Sequence, residues 1–168
     1  MLIRRATIED AAGIAKVHVD SWRTTYKGIV PNVFLENLSY DQKEQNWKQG
    51  IAMNHVYIAE DEDKRIIGFS TGGKERTGKY DLYTGELYAI YLVEECQGKG
   101  IGRLLVKSVM DDLQNKKLNS MLIWALEENP ACRFYESLGG KVIDTAEIEI
   151  AGKKLKEAAY GWGDITKY

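Results

Sequence analysis

No part of the chain restricts its fold as much as the stretch from Gly85 to Leu113. Gly85 to Val93 is rich in aliphatic and aromatic residues and is apolar on both faces after Glu86. A strand of that kind is covered on both sides and so lies centrally in its sheet. Gln97 to Gly102 then turns the chain, with glycine at the alternate positions 98, 100 and 102. Ile101, Leu105, Val109 and Leu113 follow at intervals of four, which marks a helix. Strand, glycine turn and helix in that order gather backbone N–H groups and the positive end of a helix dipole at one point. Lys99 and Arg103 add side-chain charge there. A phosphate or pyrophosphate is the expected guest, and a purely structural glycine turn is the alternative.

Three phosphate-binding loops compete for this segment. A P-loop needs Gly-Lys followed by Ser or Thr, whereas Gly98 and Lys99 are followed by Gly100, so no hydroxyl is present for magnesium. The dinucleotide fingerprint needs two residues between its second and third glycines, and here there is one, at mid-chain after strands that read as antiparallel. The loop that cradles the pyrophosphate of coenzyme A, Q/R-x-x-G-x-G/A after a central strand, is matched throughout by Gln97, Gly98, Lys99, Gly100, Ile101 and Gly102.

The rest of the chain reads as one α+β unit over residues 1–168. Leu2 to Arg5 is a short strand, and Thr7 with Asp10 resembles a helix N-cap pair. The helix that follows carries Ile8, Ala11, Ile14, Val17 and Trp22 on one face and ends near Gly28. Pro31 opens a second helical stretch holding Phe34, Leu35, Leu38 and, further on, Trp47. His55 to Glu60 and Arg65 to Thr71 form a hairpin about Asp61, Glu62 and Asp63. Met121 to Leu126 is another buried strand. Asn129 and Pro130 start a helix that Gly139 and Gly140 stop, and Val142 to Ile150 pairs with Lys154 to Trp162. The expected architecture is a mixed, mostly antiparallel sheet of about seven strands flanked by about four helices.

Charge and composition narrow the function. With 23 basic against 25 acidic residues the net charge is −2, without the basic excess of a nucleic-acid binder. Two cysteines, Cys96 and Cys132, supply neither a disulfide framework nor a four-ligand zinc site. No long apolar window and no signal-peptide core is present. A cytoplasmic protein without metal or membrane partner is expected.

The loop, together with Arg133 to Gly139, resembles the GNAT superfamily of acyl-CoA-dependent N-acetyltransferases over nearly the whole chain. The resemblance implies that the strand through Leu92 and the strand through Ile123 splay apart to admit the pantetheine arm of acetyl-CoA. It implies that Ile90, Tyr91 and Leu92 pair with that arm, that Gln97, Gly98, Lys99, Gly100, Ile101, Gly102 and Arg103 hold the pyrophosphate, and that Asn129 and Phe134 complete the cofactor contacts. Two positions depart from the family pattern. Glu94 stands where proline is common, and Asn129 precedes Tyr135 by six positions where the family has seven. Either Asn129 or Glu128 takes the Asn position.

Acetylating an amine meets a protonation problem first. A lysine-like amine with a pKa of about 10.4 is neutral in roughly one part in 10³ at pH 7, a cost of about 4–5 kcal/mol. By the resemblance, Glu86, eleven residues before Gln97, occupies the place of a catalytic glutamate in some members. On a strand of period two it shares a face with Tyr88, Ile90 and Leu92, and partial burial would suit a carboxylate to act as a base. Tyr135 matches the family's general acid toward the departing thiolate. Cys96 and Cys132 read as bystander thiols, and His18 and His55 as structural. Trp22, Arg23, Tyr26, Tyr40 and Trp47 form an aromatic group on the first helices, with Trp22 and Tyr26 as candidates, beside Glu86, for acceptor binding. The reading is acetyl transfer to a primary amine such as a polyamine, amino acid or antibiotic, by direct attack in a ternary complex. A protein N-terminal or lysine acetyltransferase and a catalytically silent acyl-CoA-binding module are the alternatives, and pairing of two copies is an option.

Overall fold

A computed structural model describes residues 1–168. One seven-stranded sheet runs through it, built from β1 (Leu2–Arg5), β2 (Val56–Glu60), β3 (Ile66–Lys74), β4 (Gly85–Leu92), β5 (Met121–Leu126), β6 (Lys141–Ile150) and β7 (Lys153–Trp162), in the spatial order β1-β2-β3-β4-β5-β7-β6. Every neighbouring pair is antiparallel except β4 with β5. The mixed, mostly antiparallel sheet is as expected, and β4 is its fourth strand, hence central. Five helices flank it: α1 (Ala11–Thr25), α2 (Asn32–Glu36), α3 (Tyr40–Met53), α4 (Ile101–Asn115) and α5 (Ala131–Ser137).

The extra helix arises where a single stretch was expected after Pro31. Ser39 is extended and its Oγ accepts the backbone N–H of Gln42 at 3.1 Å, so a new helix is capped there and α3 begins at Tyr40. α1 and α3 cover one face of the sheet, through Ile14, Val17, Val56, Ile58 and Phe69, with Trp47 packed against them. The apolar stripe of α4 covers the other face, where Leu87, Val106, Val109, Met110 and Leu113 meet α5 residues Cys132 and Tyr135 and the β5 residue Ile123. α4 approaches β3 so closely that a Cβ on Gly72 would lie 2.6 Å from Val109 Cγ1.

Two irregularities shape the centre. β4 and β5 pair at Gly85 with Met121 and at Glu86 with Leu122, and no further. Beyond those two rungs the parallel strands separate. On its other edge β4 carries a bulge: Ala89 faces Thr71 and Leu87 faces Gly72, leaving Tyr88 without a partner on β3. The inserted residue shifts the in-and-out alternation by one. Leu87 and Ile90 therefore both face α4, while Ala89 and Tyr91 face α1 and α3.

Candidate functional site

The separation of β4 from β5 opens a cavity of about 590 Å³. One wall is the free edge of β4 from Tyr88 to Leu92, and the other is Ile123, Trp124 and Ala125 of β5. Its far end is the glycine loop, with Gln97, Gly98, Gly100, Gly102 and Arg103 in the wall, and its sides are α1 and α5.

Gly98 and Gly100 have φ of +72° and +83°, and a Cβ on either would meet nothing within 4 Å. Both facts matter. Positive φ demands glycine for the turn itself, and the open space leaves the backbone approachable from outside. Gly100 caps the start of α4, so the N-terminal N–H groups of a fifteen-residue helix point toward this space. Gly102 does something different. A Cβ there would lie 3.2 Å from Phe134 Cζ, so its hydrogen lets the Phe134 ring rest on the first turn of α4 and close that side of the cavity. Within the loop, two candidates fall outside the wall: the Ile101 side chain is buried in the core with Leu105, and Lys99 is exposed beside the loop.

Tyr135 is 3% exposed and lines the cavity from α5. Burial pushes its phenol well above the ordinary value, with Tyr26, Cys132 and Tyr160 adding to the effect. Tyr26, likewise buried and raised by that burial, lines the cavity from the end of α1. Asn129 joins the two sides. Its Nδ2 donates to Tyr26 Oη at 3.1 Å, and its Oδ1 accepts the Ala131 N–H at 2.9 Å, starting α5. Asn129 is thus buried and in the cavity wall, whereas Glu128 is exposed. Of Asn129 and Glu128, only Asn129 lines the cavity.

Trp22 does not line the cavity. Its Nε1 donates to Tyr91 Oη at 3.0 Å and its ring packs on Tyr26 at 4.4 Å between centroids, so it supports the wall from behind. The remaining aromatics expected near an acceptor pocket serve helix packing. Trp47 Nε1 donates to His18 Nδ1 at 3.0 Å, and Arg23 donates to the carbonyls of Leu35 and Leu38. His55 meets Asp112 at 2.6 Å.

Glu86 departs furthest from expectation. It is 3% exposed, its Oε2 accepts from Arg76 Nη2 at 2.6 Å and its Oε1 accepts the Arg76 backbone N–H at 3.2 Å. The Arg76 guanidinium lies 4.4 Å from the centre of the Tyr88 ring. Because of the bulge at Tyr88, Glu86 does not share the face of Ile90 and Leu92, and it is absent from the cavity wall. Its carboxylate is paired with Arg76.

Three features of the site and its surroundings are not legible in the sequence. Ser21, Thr24 and Thr25 of α1 enter the wall, because a helix known only by its apolar face says nothing of what its polar edge meets. Trp124 of β5 lines the cavity and takes the Tyr80 ring edge-on at 6.3 Å. Glu157 of β7, which pairs with Leu126, lies outside the cavity wall on the same sheet face as Trp124, and burial raises its carboxyl above the ordinary value. No group of three His, Cys, Asp or Glu side chains is arranged to hold a metal ion.

A strand edge freed from its neighbour, running into a glycine loop at a helix N-terminus, defines a class of site: one suited to an extended ligand paired along the strand with an anionic head on the loop. Comparison with known proteins agrees. A family model described as FR47-like protein matches residues 73–148, from the end of β3 into β6. The chain is 42% identical over 164 residues, 98% of its length, to an uncharacterized N-acetyltransferase, YuaI, of Bacillus subtilis (strain 168), of which 94% is covered. It is 24% identical over 163 residues to the spermidine N(1)-acetyltransferase of Thermoplasma acidophilum, covering 93% of this chain and 98% of that one. In fold it matches the PaiA N-acetyltransferase from Thermoplasma acidophilum in complex with coenzyme A, with a TM-score of 0.74 at 22% identity over 93% of this chain and 96% of the other. The chain belongs to the GNAT superfamily of N-acetyltransferases.

Proposed function

We propose that the protein transfers the acetyl group of acetyl-CoA to a primary amine by direct attack, with both substrates bound together. The observation that carries this reading is the two-rung pairing of β4 with β5, which leaves one strand edge free along a cavity ending at the glycine loop. Acetyl-CoA would supply the activated acyl thioester. Backbone groups of Ile90, Tyr91 and Leu92 would bind its amide-bearing arm as a partial extra strand, and Gly98 to Gly102, with Lys99 and Arg103, would receive the pyrophosphate at the start of α4. The residues fit such a ligand, since the loop is open above Gly98 and Gly100. The relation to a protein solved in complex with coenzyme A agrees with it.

Tyr135 is the candidate for the leaving-group side. A thiol has a pKa of about 8.5 and an ordinary phenol about 10, and burial separates the two further. The Tyr135 O–H therefore stabilises a departing thiolate by donating a hydrogen bond rather than by giving up its proton. Glu86 is held by Arg76, so the acceptor's proton leaves through water at the cavity mouth. An amine acceptor is supported by the Trp124 side of that mouth. An aromatic ring attracts a cation, and the half-buried Glu157 carboxylate, on the same face of the sheet as Trp124, makes no ion pair within the protein. The spermidine acetyltransferase among the relatives is consistent with a small amine.

The test is release of free CoA thiol from acetyl-CoA across a panel of polyamines, amino acids, aminoglycosides and peptides. Turnover with at least one small amine, above the enzyme-free rate, is expected. Turnover confined to peptides would move the acceptor to the protein class. Binding of CoA without turnover on any amine would leave a silent acyl-CoA-binding module.

A further inference from the structure

Ser21 stands apart from the other polar groups around the cavity. It is 4% exposed, it lines the cavity from α1, and its Oγ is a buried side-chain oxygen with no hydrogen-bond partner in the protein. One turn on, Thr24 shows what a helical hydroxyl ordinarily does, bonding back to the carbonyls of Asp20 and Ser21 at 3.2 Å. Ser21 takes no such partner. An unpaired buried hydroxyl costs stability, and the groups that carry that cost in native proteins usually have a reason to.

The surroundings indicate what would pair with it. Ser21, Thr24 and Glu94 border both the main cavity and a smaller neighbouring one of about 360 Å³, which lies against Val93, Glu94 and Glu95. Ser21 is therefore beside the end of β4, where the strand edge gives way to the glycine loop. α1 is held in place there by the bond from Trp22 Nε1 to Tyr91 Oη at 3.0 Å, so the buried hydroxyl would reach a ligand by a turn of its own side chain about the Cα–Cβ bond, without movement of the helix. We propose that Ser21 Oγ hydrogen-bonds the pantetheine arm of CoA where the arm passes from the edge of β4 to the glycine loop. The arm carries amide and hydroxyl groups along that length, and a serine hydroxyl both donates and accepts. The proposal rests on the acyl-CoA reading.

Calorimetric titration of wild type and Ser21→Ala with CoA and with 3′,5′-ADP, which has the nucleotide head but no arm, tests it. Ser21→Ala should bind CoA roughly tenfold more weakly, with 3′,5′-ADP affinity within about twofold of wild type. Its melting temperature without ligand should equal or exceed that of wild type, because the substitution removes an unpaired buried hydroxyl. Unchanged CoA affinity in Ser21→Ala overturns the proposal, as does an equal loss for both ligands, which would mark a general disturbance of the site. Failure of wild type to bind CoA at all would overturn the acyl-CoA reading, and this contact with it.

Discussion

Tyr135 and Glu86 show how differently two polar side chains can be fixed by one scaffold. Tyr135 is buried in the cavity wall, with its phenol pushed up by that burial. Glu86 is equally buried but is turned to Arg76. For Tyr135 the consequence is a rate effect without a binding effect. Tyr135→Phe keeps the ring between Phe134 and Tyr160 and removes only the hydroxyl, so turnover should fall by about 10²-fold while CoA affinity changes little. Pre-steady-state measurement of thiol release checks this, and an unchanged chemical step would remove Tyr135 from the reaction. Tyr135 was legible in the sequence through the family resemblance, whose motif it matches, and it lines the cavity. The position of Glu86 was not, because one unpaired residue, Tyr88, reverses the alternation on which the inference depended. Its partner Arg76 lies in the β3–β4 connection, ten residues away, where no periodicity points.

At the scale of elements, the strand, glycine turn and helix from Gly85 to Asn115 were readable from spacing alone, since each glycine of the turn answers a local demand. The boundary between α2 and α3 was less so, because it depends on the single cap at Ser39. Residue types alone mark the aromatic cluster between α1 and α3 but not its internal bond. That bond, from Trp47 Nε1 to His18 Nδ1, requires a neutral imidazole as acceptor. Burial, helped by the charge of Lys43, holds His18 down to about 4, against about 6.5 in an unfolded chain. Between those values the unfolded chain takes up a proton that the native one refuses. Stability from this site is thus complete above pH 6.5 and is lost as the pH falls toward 4, by about 3 kcal/mol in total. Thermal melting of wild type and His18→Gln from pH 7 to pH 4.5 measures it. The wild-type curve should fall more steeply, since glutamine does not titrate, and parallel curves would show that His18 is not held neutral.

For the whole molecule, the decisive feature is that a continuous seven-stranded sheet is interrupted at one seam. The strand order and the parallel pairing at β4 and β5 follow from chain connectivity, because α4 crosses between them. How far the pairing runs is a matter of the bulge, the glycine turn and the packing of α5 together, and none of these alone reveals it. Beyond Glu86 the N–H groups on the free edge of β4 have no strand partner, so they exchange readily with solvent unless a ligand pairs with them. Hydrogen exchange with and without CoA therefore tests the central claim most directly. Exchange should slow over Tyr88 to Leu92 and over Gly98 to Gly102 when CoA is bound, and stay unchanged in the β6–β7 hairpin around Ala151 and Gly152. Binding of CoA that leaves the β4 edge and the glycine loop exchanging as before would contradict the account.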